Sequence, residues 1–536
     1  MAYIEPNSTI RLLTGCPLDK TYDHTIYFAS QSAQTSYFQS LTKYTYSNYS
    51  YIRQLRTIKV QADAGANLYD CNYLMFKNTS FENKWFYAFV TSIEYVNNYT
   101  WELAFELDVM QSWMFDYELE RCFVEREHSV TDNLFENLVP ENLELGDYIS
   151  EGITRCADSD SATTSLIEDL SLVFACTFDR QYNDYNGGYY GGLYSGLCMV
   201  DFPFPKPPTT ANINTFVTNV RTWINGATSA GKSTGIVCAY VMPTAFVRSD
   251  TSSHTSVGFT KSTTFTSIDG YTPKNKKLFS FPYNFLYCTN FQGQSAPFKF
   301  EYFSTPTAPS FKLEADYSPD PNIVLTPLNY KGAGADGNYD EKMVLGGYPQ
   351  LPFSTDVFQA WLAMGSGNTI VSALSSISGY AVGGALAGGV PTGGVGAIPG
   401  ALIGAGVGIG STILKSLETA REQYIEPWQS HSGAGSTTMA SIRLIDFGFM
   451  HKHIRSEFAK IIDDFFNMFG YATKRCKVPN THARPHWTYT KTIGCCIIGS
   501  VPADDMRKIC DIYNTGITFW MNGSEVGNYS LDNRPV

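Results

Sequence analysis

Gly226 to Ser233, GATSAGKS, meets the G-x-x-x-x-G-K-S spacing of a phosphate-binding loop, in which Lys232 would contact nucleotide phosphates and Ser233 a magnesium ion. That chemistry needs a strand before the loop and a helix after it, so that backbone N–H groups and a helix N-terminus converge on phosphate. The residue pattern predicts the reverse: a helix over TANINTFVTNVRTWING precedes the loop and a strand over GIVCAYVMP follows it. No carboxylate ending an apolar strand lies nearby to complete a nucleotide site, so nucleotide binding is not expected.

Two histidine pairs, His451 with His453 and His482 with His486, are spaced as metal ligands could be. Pro485 interrupts the second pair, and neither pair has the glutamate of an HExxH helix, so surface or core histidines are expected. The twelve cysteines (Cys16, Cys71, Cys122, Cys156, Cys176, Cys198, Cys238, Cys288, Cys476, Cys495, Cys496 and Cys510) contain no CxxC. They read as buried thiols of a protein made in a reducing cytoplasm. Asp463-Asp464 and Asp504-Asp505 read as solvated helix faces or as helix-start charges that suit the macrodipole. There is no GxSxG elbow. No catalytic residue, no metal site and no cofactor are expected.

A different pattern runs from Val357 to Leu414, which contains no Asp, Glu, Lys, Arg or His. Ile370–Val390 and Val395–Leu414 each approach the roughly 20 residues that a helix needs to cross a bilayer core. The PTGG between them stops helices. Glycines recur at four-residue spacing, at Gly379 and Gly383, at Gly384 and Gly388, and at Gly396, Gly400, Gly404 and Gly408. Each helix of such a hairpin would have a nearly flat side, which allows close approach in lipid. Glycine, serine and threonine dilute the apolar content, so three readings stay open: a segment stored in a soluble protein and released into a membrane, an ordinary anchor, or a glycine-rich linker.

The elements around this insert read as mainly β with some α, an α+β chain. Its 536 residues fit two to four domains. Residues are 15% aromatic and 16% charged. Soluble domains usually carry about 25% charged residues, so surfaces facing other subunits are expected. The net charge of −12 argues against stable nucleic-acid binding, which rests on Lys and Arg displacing counterions. A wall that DNA slides past without sticking fits that charge, and so does plain solubility. MAYIEPNSTI has Glu5 where a signal peptide would carry a basic residue and an apolar run, so no secretion signal is expected.

In the first region, 1–150, Trp101, Leu103, Phe105, Leu107 and Val109 alternate with polar residues and predict a half-buried strand over Tyr99–Met110. Its partner, Lys84–Val96, should bury Trp85, Tyr87, Phe89, Ile93 and Tyr95. A three-residue loop, Asn97–Tyr99, would set Ile93 opposite Leu103. RTIKVQAD and the Tyr-rich run YTYSNYSYIRQ read as further strands. Residues 151–346 predict short strands at SLVFACTFD, GIVCAYVMP, KLFSFPYNFLYCTN and FKFEYFST, forming a protruding β-rich domain. The apolar insert occupies 347–434. In 435–536, strands at ASIRLIDFGFM, HWTYTKTIGCCIIGS and ITFWM accompany two helices. One buries Ile454, Phe458, Ile461, Ile462, Phe465, Phe466 and Phe469 and ends at Gly470. The other starts at Pro502, carries Met506, Ile509 and Tyr513, and ends at Gly516. This last region is expected to fold back on the first.

NYLMFKNTSFENKWFYAFVTSIEY, FELDVMQSWMFDYELERCFVEREH, RSEFAKIIDDFFNMFGYATKRCKVPN and IYNTGITFWMNGSEVGNYSLDN, in that order, resemble the ends of the tail knob (distal tail tube) proteins of small short-tailed phages of the Picovirinae type. Residues 150–345 match only in texture. The resemblance implies a structural virion protein of the tail, made in the bacterial host cytoplasm. It implies a homohexameric tube walled by 1–150 and 435–536, with 151–346 as the knob. It also implies that the insert plugs the lumen and emerges into the host cytoplasmic membrane for genome ejection. The implied partners are the upper tail tube or collar protein, a tail-tip cell-wall hydrolase, that membrane, and DNA in transit without stable binding. The membrane role falls on the segment from Trp361 to Leu414: on Trp361, Leu362, Ile370, Val371, Leu374, Ile377, Tyr380, Val382, Leu386, Val390 and Pro391, then on Val395, Ile398, Pro399, Leu402, Ile403, Val407, Ile409, Ile413 and Leu414. The alternative is a receptor-binding tail adhesin without membrane activity, built on the middle region.

Overall fold

The computed structural model describes residues 7–49, 51–52, 56–62, 66–79, 83–156, 170–178, 189–190, 197–203, 205, 210–232, 235–247, 256–315, 317–318, 321–346, 350–352 and 447–535. The chain divides into two compact units. Unit 1 comprises Met1–Asp147, Ser267–Tyr283 and Ile454–Val536; unit 2 comprises Tyr148–Thr266 and Asn284–His453.

In chain order, unit 1 begins with β1 (Ser8–Thr14), β2 (His24–Ile26), α1 (Gln31–Ser40), β3 (Thr42–Ser47), β4 (Tyr51–Ile52), β5 (Thr57–Gln61), β6 (Cys71–Asn78), β7 (Phe86–Asn97), β8 (Thr100–Leu107), α2 (Val109–Trp113), β9 (Tyr117–Leu119) and β10 (Cys122–Glu127). Unit 2 follows with β11 (Tyr148–Arg155), β12 (Leu170–Cys176), β13 (Tyr189–Tyr190), β14 (Cys198–Pro203), α3 (Thr210–Ser229), β15 (Ile236–Pro243), β16 (Ser256–Thr260), β17 (Asn284–Thr289), β18 (Ser295–Phe298), β19 (Ser310–Ala315), β20 (Ile323–Leu328), β21 (Met343–Leu345), β22 (Gln350–Pro352) and β23 (Gly448–Ile454). The chain returns to unit 1 with α4 (Ser456–Phe469), β24 (Tyr471–Lys477), β25 (Trp487–Ile493), β26 (Ile497–Gly499), α5 (Ala503–Thr515) and β27 (Ile517–Trp520). The fold is mainly β with some α, as the periodicities predict.

The larger sheet of unit 1 runs β3-β1-β6-β7-β8-β5-β4. Its two outermost strands are neighbours in sequence, joined only by residues 48–50. Seven strands laid flat would put the edges about 29 Å apart at ~4.8 Å spacing. That short link reaches about 14 Å at most, so the sheet must curl toward a barrel. One face of it carries the buried Leu12, Leu74, Phe76, Phe86, Leu103 and Phe105, and the other carries the buried Tyr73, Met75 and Tyr87, on which Phe38 of α1 packs. The second sheet, β2-β27-β25-β10-β24, mixes strands from both ends of the chain.

The β7–β8 hairpin has the expected register, with Ile93 opposite Leu103. It reaches that register differently. Asn97 pairs with Thr100, so only Asn98 and Tyr99 form the loop, and a bulge between Tyr95 and Asn97 supplies the missing residue. The face of β8 alternates as expected, but the strand stops at Leu107. Asp108, wholly buried, caps α2 by accepting the N–H of Gln111 at 3.1 Å, so Val109 is helical. Helices α1 and α2 carry no clear apolar period and are absent from the sequence reading. Gln34 of α1 donates to the Gln111 backbone oxygen at 2.8 Å, and Gln111 donates to Thr25 Oγ1 at 2.8 Å, so buried amides hold these short elements.

In unit 2, α3 packs Trp223 on Phe174 and Phe202 of the sheet β13-β14-β12-β15-β22. Rings of Phe259, Phe298, Phe311 and Phe449 link the sheets β16-β19-β20-β21 and β11-β23-β17-β18. Two predicted strands are shorter than expected. KLFSFPYNFLYCTN begins as a 3-10 turn, Lys276–Phe279, and becomes β17 only after Pro282, which has no N–H for a ladder. FKFEYFST leaves β18 at Phe298 for a 3-10 turn, which buries Phe298, Phe300 and Phe303 where a continued strand would bury Tyr302.

Helix α4 has the predicted C-terminal end, with Gly470 at its C-cap, but it starts at Ser456, and Ile454, expected on the helix, ends β23. Its buried stripe is Ala459, Ile462, Asp463, Phe466 and Asn467, while Ile461 is 67% exposed. Asp463 is therefore not on a solvated face, and it accepts four hydrogen bonds described below. Asp504 and Asp505 do open α5 as expected, and Asp505 also accepts from the Trp113 indole at 3.0 Å.

Candidate functional site

The uncharged segment Val357–Leu414, on which the expected membrane role of Trp361 to Leu414 and the four-spaced glycines fall, lies outside the described residues. The nearest described residues on either side, 350–352 and 447 onward, lie in or beside sheets of unit 2. β22 pairs with β15, Leu351 opposite Ala239. β23 pairs with β17, His451 opposite Leu286, and the adjoining Phe447 and Phe449 are buried. Among the described residues no helix is long and apolar enough to cross a membrane.

The phosphate-loop pattern sits where its order predicts. Gly226–Ser229 form the last turn of α3, and β15 follows, with Ser233 outside the described residues. The N–H of Lys232 donates to Ala227 O at 2.9 Å, so this is a helix C-terminus, the wrong pole for phosphate. His451 and His453 lie side by side and share Glu151, whose Oε2 is 3.7 Å from His451 Nδ1, whereas His482 and His486 have separate partners. His451 Nε2 meets Asn284 Oδ1 at 2.5 Å, His453 Nε2 meets Glu151 Oε1 at 3.1 Å, His486 Nδ1 meets Glu525 Oε2 at 2.9 Å, and His482 stacks on Tyr27. Among the described residues no cluster of His, Cys, Asp and Glu is arranged to hold a metal ion.

Three charged centres in unit 1 join its three chain stretches. Asp463 Oδ1 accepts from Asn275 N and Nδ2 at 2.9 and 2.8 Å, and its Oδ2 from Lys274 N and the Tyr271 hydroxyl at 2.6 and 2.7 Å. Burial raises its carboxyl above the usual range even so. Asp132 accepts from Lys276 N at 2.9 Å and from the Tyr471 hydroxyl at 2.6 Å. Glu141, itself buried, holds both Arg126 and Lys277 and accepts from Ala472 N at 3.1 Å. Nearby, His128 accepts from Tyr489 N at 2.8 Å through Nδ1 and donates through Nε2 to Asn467 O at 3.1 Å. Burial pushes its pKa down to about 3. These groups position the wall of the unit and carry no reacting centre.

Among the described residues, one exposed apolar surface is the tip of the β7–β8 hairpin. β6 pairs with β7 only from Phe86 to Phe89. Beyond Val90 the long strand keeps β8 on one side, and its side chains turn outward. Tyr95, Val96 and Tyr99 are about half exposed there, and Tyr69 is 64% exposed. Tyr69 and Tyr95 flank the Trp101 ring at 5.1 Å each. The sequence reading buried Tyr95; the clue to its exposure is that β7 outruns β6. A second apolar row crosses β10 and β25, where the exposed Phe123 and Ile493 lie opposite each other.

Residues 247–534 match the profile of the family described as Bacillus phage phi29 tail knob protein gp9, C-terminal domain, and residues 6–118 match that of the Caudoviral major tail protein N-terminus. The chain is 26% identical to the tail knob protein gp9 of Bacillus phage PZA and 25% identical to that of Bacillus phage phi29, with 99% of this chain and all of each relative covered. Among solved structures, the tail knob protein gp12 of bacteriophage C1 superposes with a TM-score of 0.58 at 15% identity, covering 98% of this chain and 99% of that one.

Proposed function

Since the chain belongs to the family of the Bacillus phage phi29 tail knob protein gp9 and so is a structural component of a short-tailed phage tail, we propose that six copies form the distal tail tube and knob, and that the uncharged segment closes the bore until it enters the host cytoplasmic membrane. Residues 1–150 and 435–536 would wall the tube and 151–346 would form the knob. The observation that carries this reading is the solvation mismatch of Val357–Leu414, a run without a single charged residue in a chain that is otherwise polar. Several copies left in water would expose far more apolar surface than soluble proteins tolerate, so a closed container is needed. The tyrosine-rich hairpin tip and the Phe123–Ile493 row supply the apolar contact that a ring of identical subunits requires. The net charge of −12 lets DNA pass without sticking. The upper tail tube or collar protein and a separate cell-wall hydrolase would bind above and at the tip, and no enzymatic step is assigned to this chain.

Electron microscopy of the purified protein tests the assembly, with a six-fold ring whose bore is filled as the expected image. A peptide spanning Ile370 to Leu414 should release dye from liposomes. Replacing Gly400 and Gly404 by Leu should weaken that release by removing the flat side. An open ring together with a peptide that never causes leakage would leave only a scaffold.

A further inference from the structure

A cavity of about 160 Å3 opens in unit 2, between β11 and β23 on one side and the segment that ends β16 on the other. It is smaller than the roughly 300 Å3 at which drug-sized sites begin, so it takes one ring rather than a chain. On β23, Phe449, His451 and His453 fall at every second residue and share a face. Asn284 Oδ1 is an acceptor, so the His451 proton sits on Nε2, 2.5 Å away, and Nδ1 is left as an acceptor. Glu151 of β11 meets both rings. Its Oε1 takes the Nε2–H of His453 at 3.1 Å, and its Oε2 lies 3.7 Å from His451 Nδ1. Burial lowers the pKa of His451, so at pH 7 the ring is neutral and two acceptors stand side by side. The Glu151 side chain is 60% exposed, so the pair is open to a ligand that donates. The opposite side supplies donors. Lys261 is buried with its Nζ 5.2 Å above the Phe449 ring, and Thr260, Ser262 and Thr263 add hydroxyls. The N–H groups of Lys261 and Thr263 donate to Pro309 O and Thr307 O at 2.9 Å each, which fixes that rim. Leu286, Phe300 and Phe449 form the apolar part of the lining.

We infer that this cavity binds one uncharged sugar ring through the acceptor pair Glu151 and His451 and the donors Lys261, Ser262 and Thr263. A hydroxyl both donates and accepts, so neighbouring hydroxyls of one ring donate to Glu151 Oε2 and His451 Nδ1 while others accept from the opposite rim. The C–H face of the ring lies on the apolar residues. The formal charges of Glu151 and Lys261 cancel, and the carboxylate at the entrance opposes an acidic polymer, so the ligand is neutral. The inference does not rest on the six-fold or the membrane reading, and its failure leaves both untouched.

The test is ligand-detected NMR of the full-length protein with the methyl glycosides of glucose, galactose and N-acetylglucosamine, followed by titration of any that bind. At least one is expected to bind. Glu151→Gln, which keeps the size of the side chain and loses its charge, should weaken it roughly tenfold, the worth of one hydrogen bond to a charged group. Ser262→Trp, at an exposed position on the rim, should abolish it without lowering the melting temperature. An array of bacterial glycans identifies the source: retention of a neutral glycan, released by the free glycoside, means that the ring is the end of a surface polysaccharide, and binding of the glycoside alone means a free sugar. No binding of any glycoside or neutral glycan, retention of acidic polymers only, or full affinity in both variants would each overturn the assignment.

Discussion

In unit 1, stretches of chain far apart in sequence meet at carboxylates: Glu141 joins Arg126, Lys277 and Ala472, and Asp463 collects the donors of Tyr271, Lys274 and Asn275. In unit 2 the corresponding meeting points are rings, with Phe311 against Phe259, Phe298, Phe303 and Phe449. The difference is one of specificity. An aromatic cluster accepts a neighbour of similar volume after small shifts. A buried carboxylate with several donors accepts one arrangement only, because any other leaves a charge or an N–H without a partner. Unit 1 is assembled from three separated stretches, and it is there that such centres are found.

The sharpest test of this contrast removes the charge that holds two cations. Glu141→Gln leaves the buried Lys277 and the partly buried Arg126 without the carboxylate they share, a loss of about 3 to 4 kcal/mol. Phe311→Leu in unit 2 should cost about 1 to 2 kcal/mol. Amide exchange resolved by peptide reports the two units separately. Equal losses would mean that the carboxylate centre does not specify unit 1.

A smaller effect separates neighbours on one helix. Asp463→Ala strands the Tyr271, Lys274 and Asn275 donors and should cost roughly 3 kcal/mol. Asp464→Ala, which loses only a 3.7 Å contact to Lys274 at the surface, should stay within about 0.5 kcal/mol. Denaturant unfolding of both variants decides it.

The two helix faces also show what a sequence can and cannot reveal. The C-terminal end of α4 and the Ile93–Leu103 register were legible because backbone periodicity and a C-cap glycine determine them. The burial of Asp463 and the exposure of Ile461 were not, since they depend on donors in 271–275 that no local pattern announces. The apolar insert could be read from composition alone, as the absence of charge needs no partner to be noticed.

Stability against pH gives a further separation inside unit 1. His128 has its pKa pushed down to about 3 by burial, so below about pH 6.5 the unfolded chain takes a proton that the folded one refuses. Its contribution is complete above that pH and falls as acid is added, by roughly 2 kcal/mol at pH 5. Asp108 is pushed up to about 6, also by burial, so between about pH 6 and 3.8 the folded state binds the extra proton and gains stability. The two slopes oppose. His128→Gln, whose amide can both accept from Tyr489 N and donate to Asn467 O, should make stability rise on acidification relative to wild type. Asp108→Asn should make it fall more steeply. Parallel curves for all three proteins would show that neither group titrates as its burial implies.

The least effect on folding is expected at the hairpin tip, and there it should be the most informative about assembly. Phe86 and Tyr87 at the root of β7 are buried, one on each face of the sheet, whereas Tyr95 and Tyr99 project past the end of β6. Tyr95→Ser and Tyr99→Ser together remove little that the isolated subunit buries, apart from the Tyr95 ring on Trp101. Unfolding should therefore move by about 0.5 to 1 kcal/mol. If the tip is where one copy meets the next, sedimentation should show the ring replaced by single subunits, because aromatic anchors at the centre of a contact carry most of its energy. A double variant that still sediments as the intact ring would move the subunit contact elsewhere, with the exposed Phe123 and Ile493 the next surface to alter.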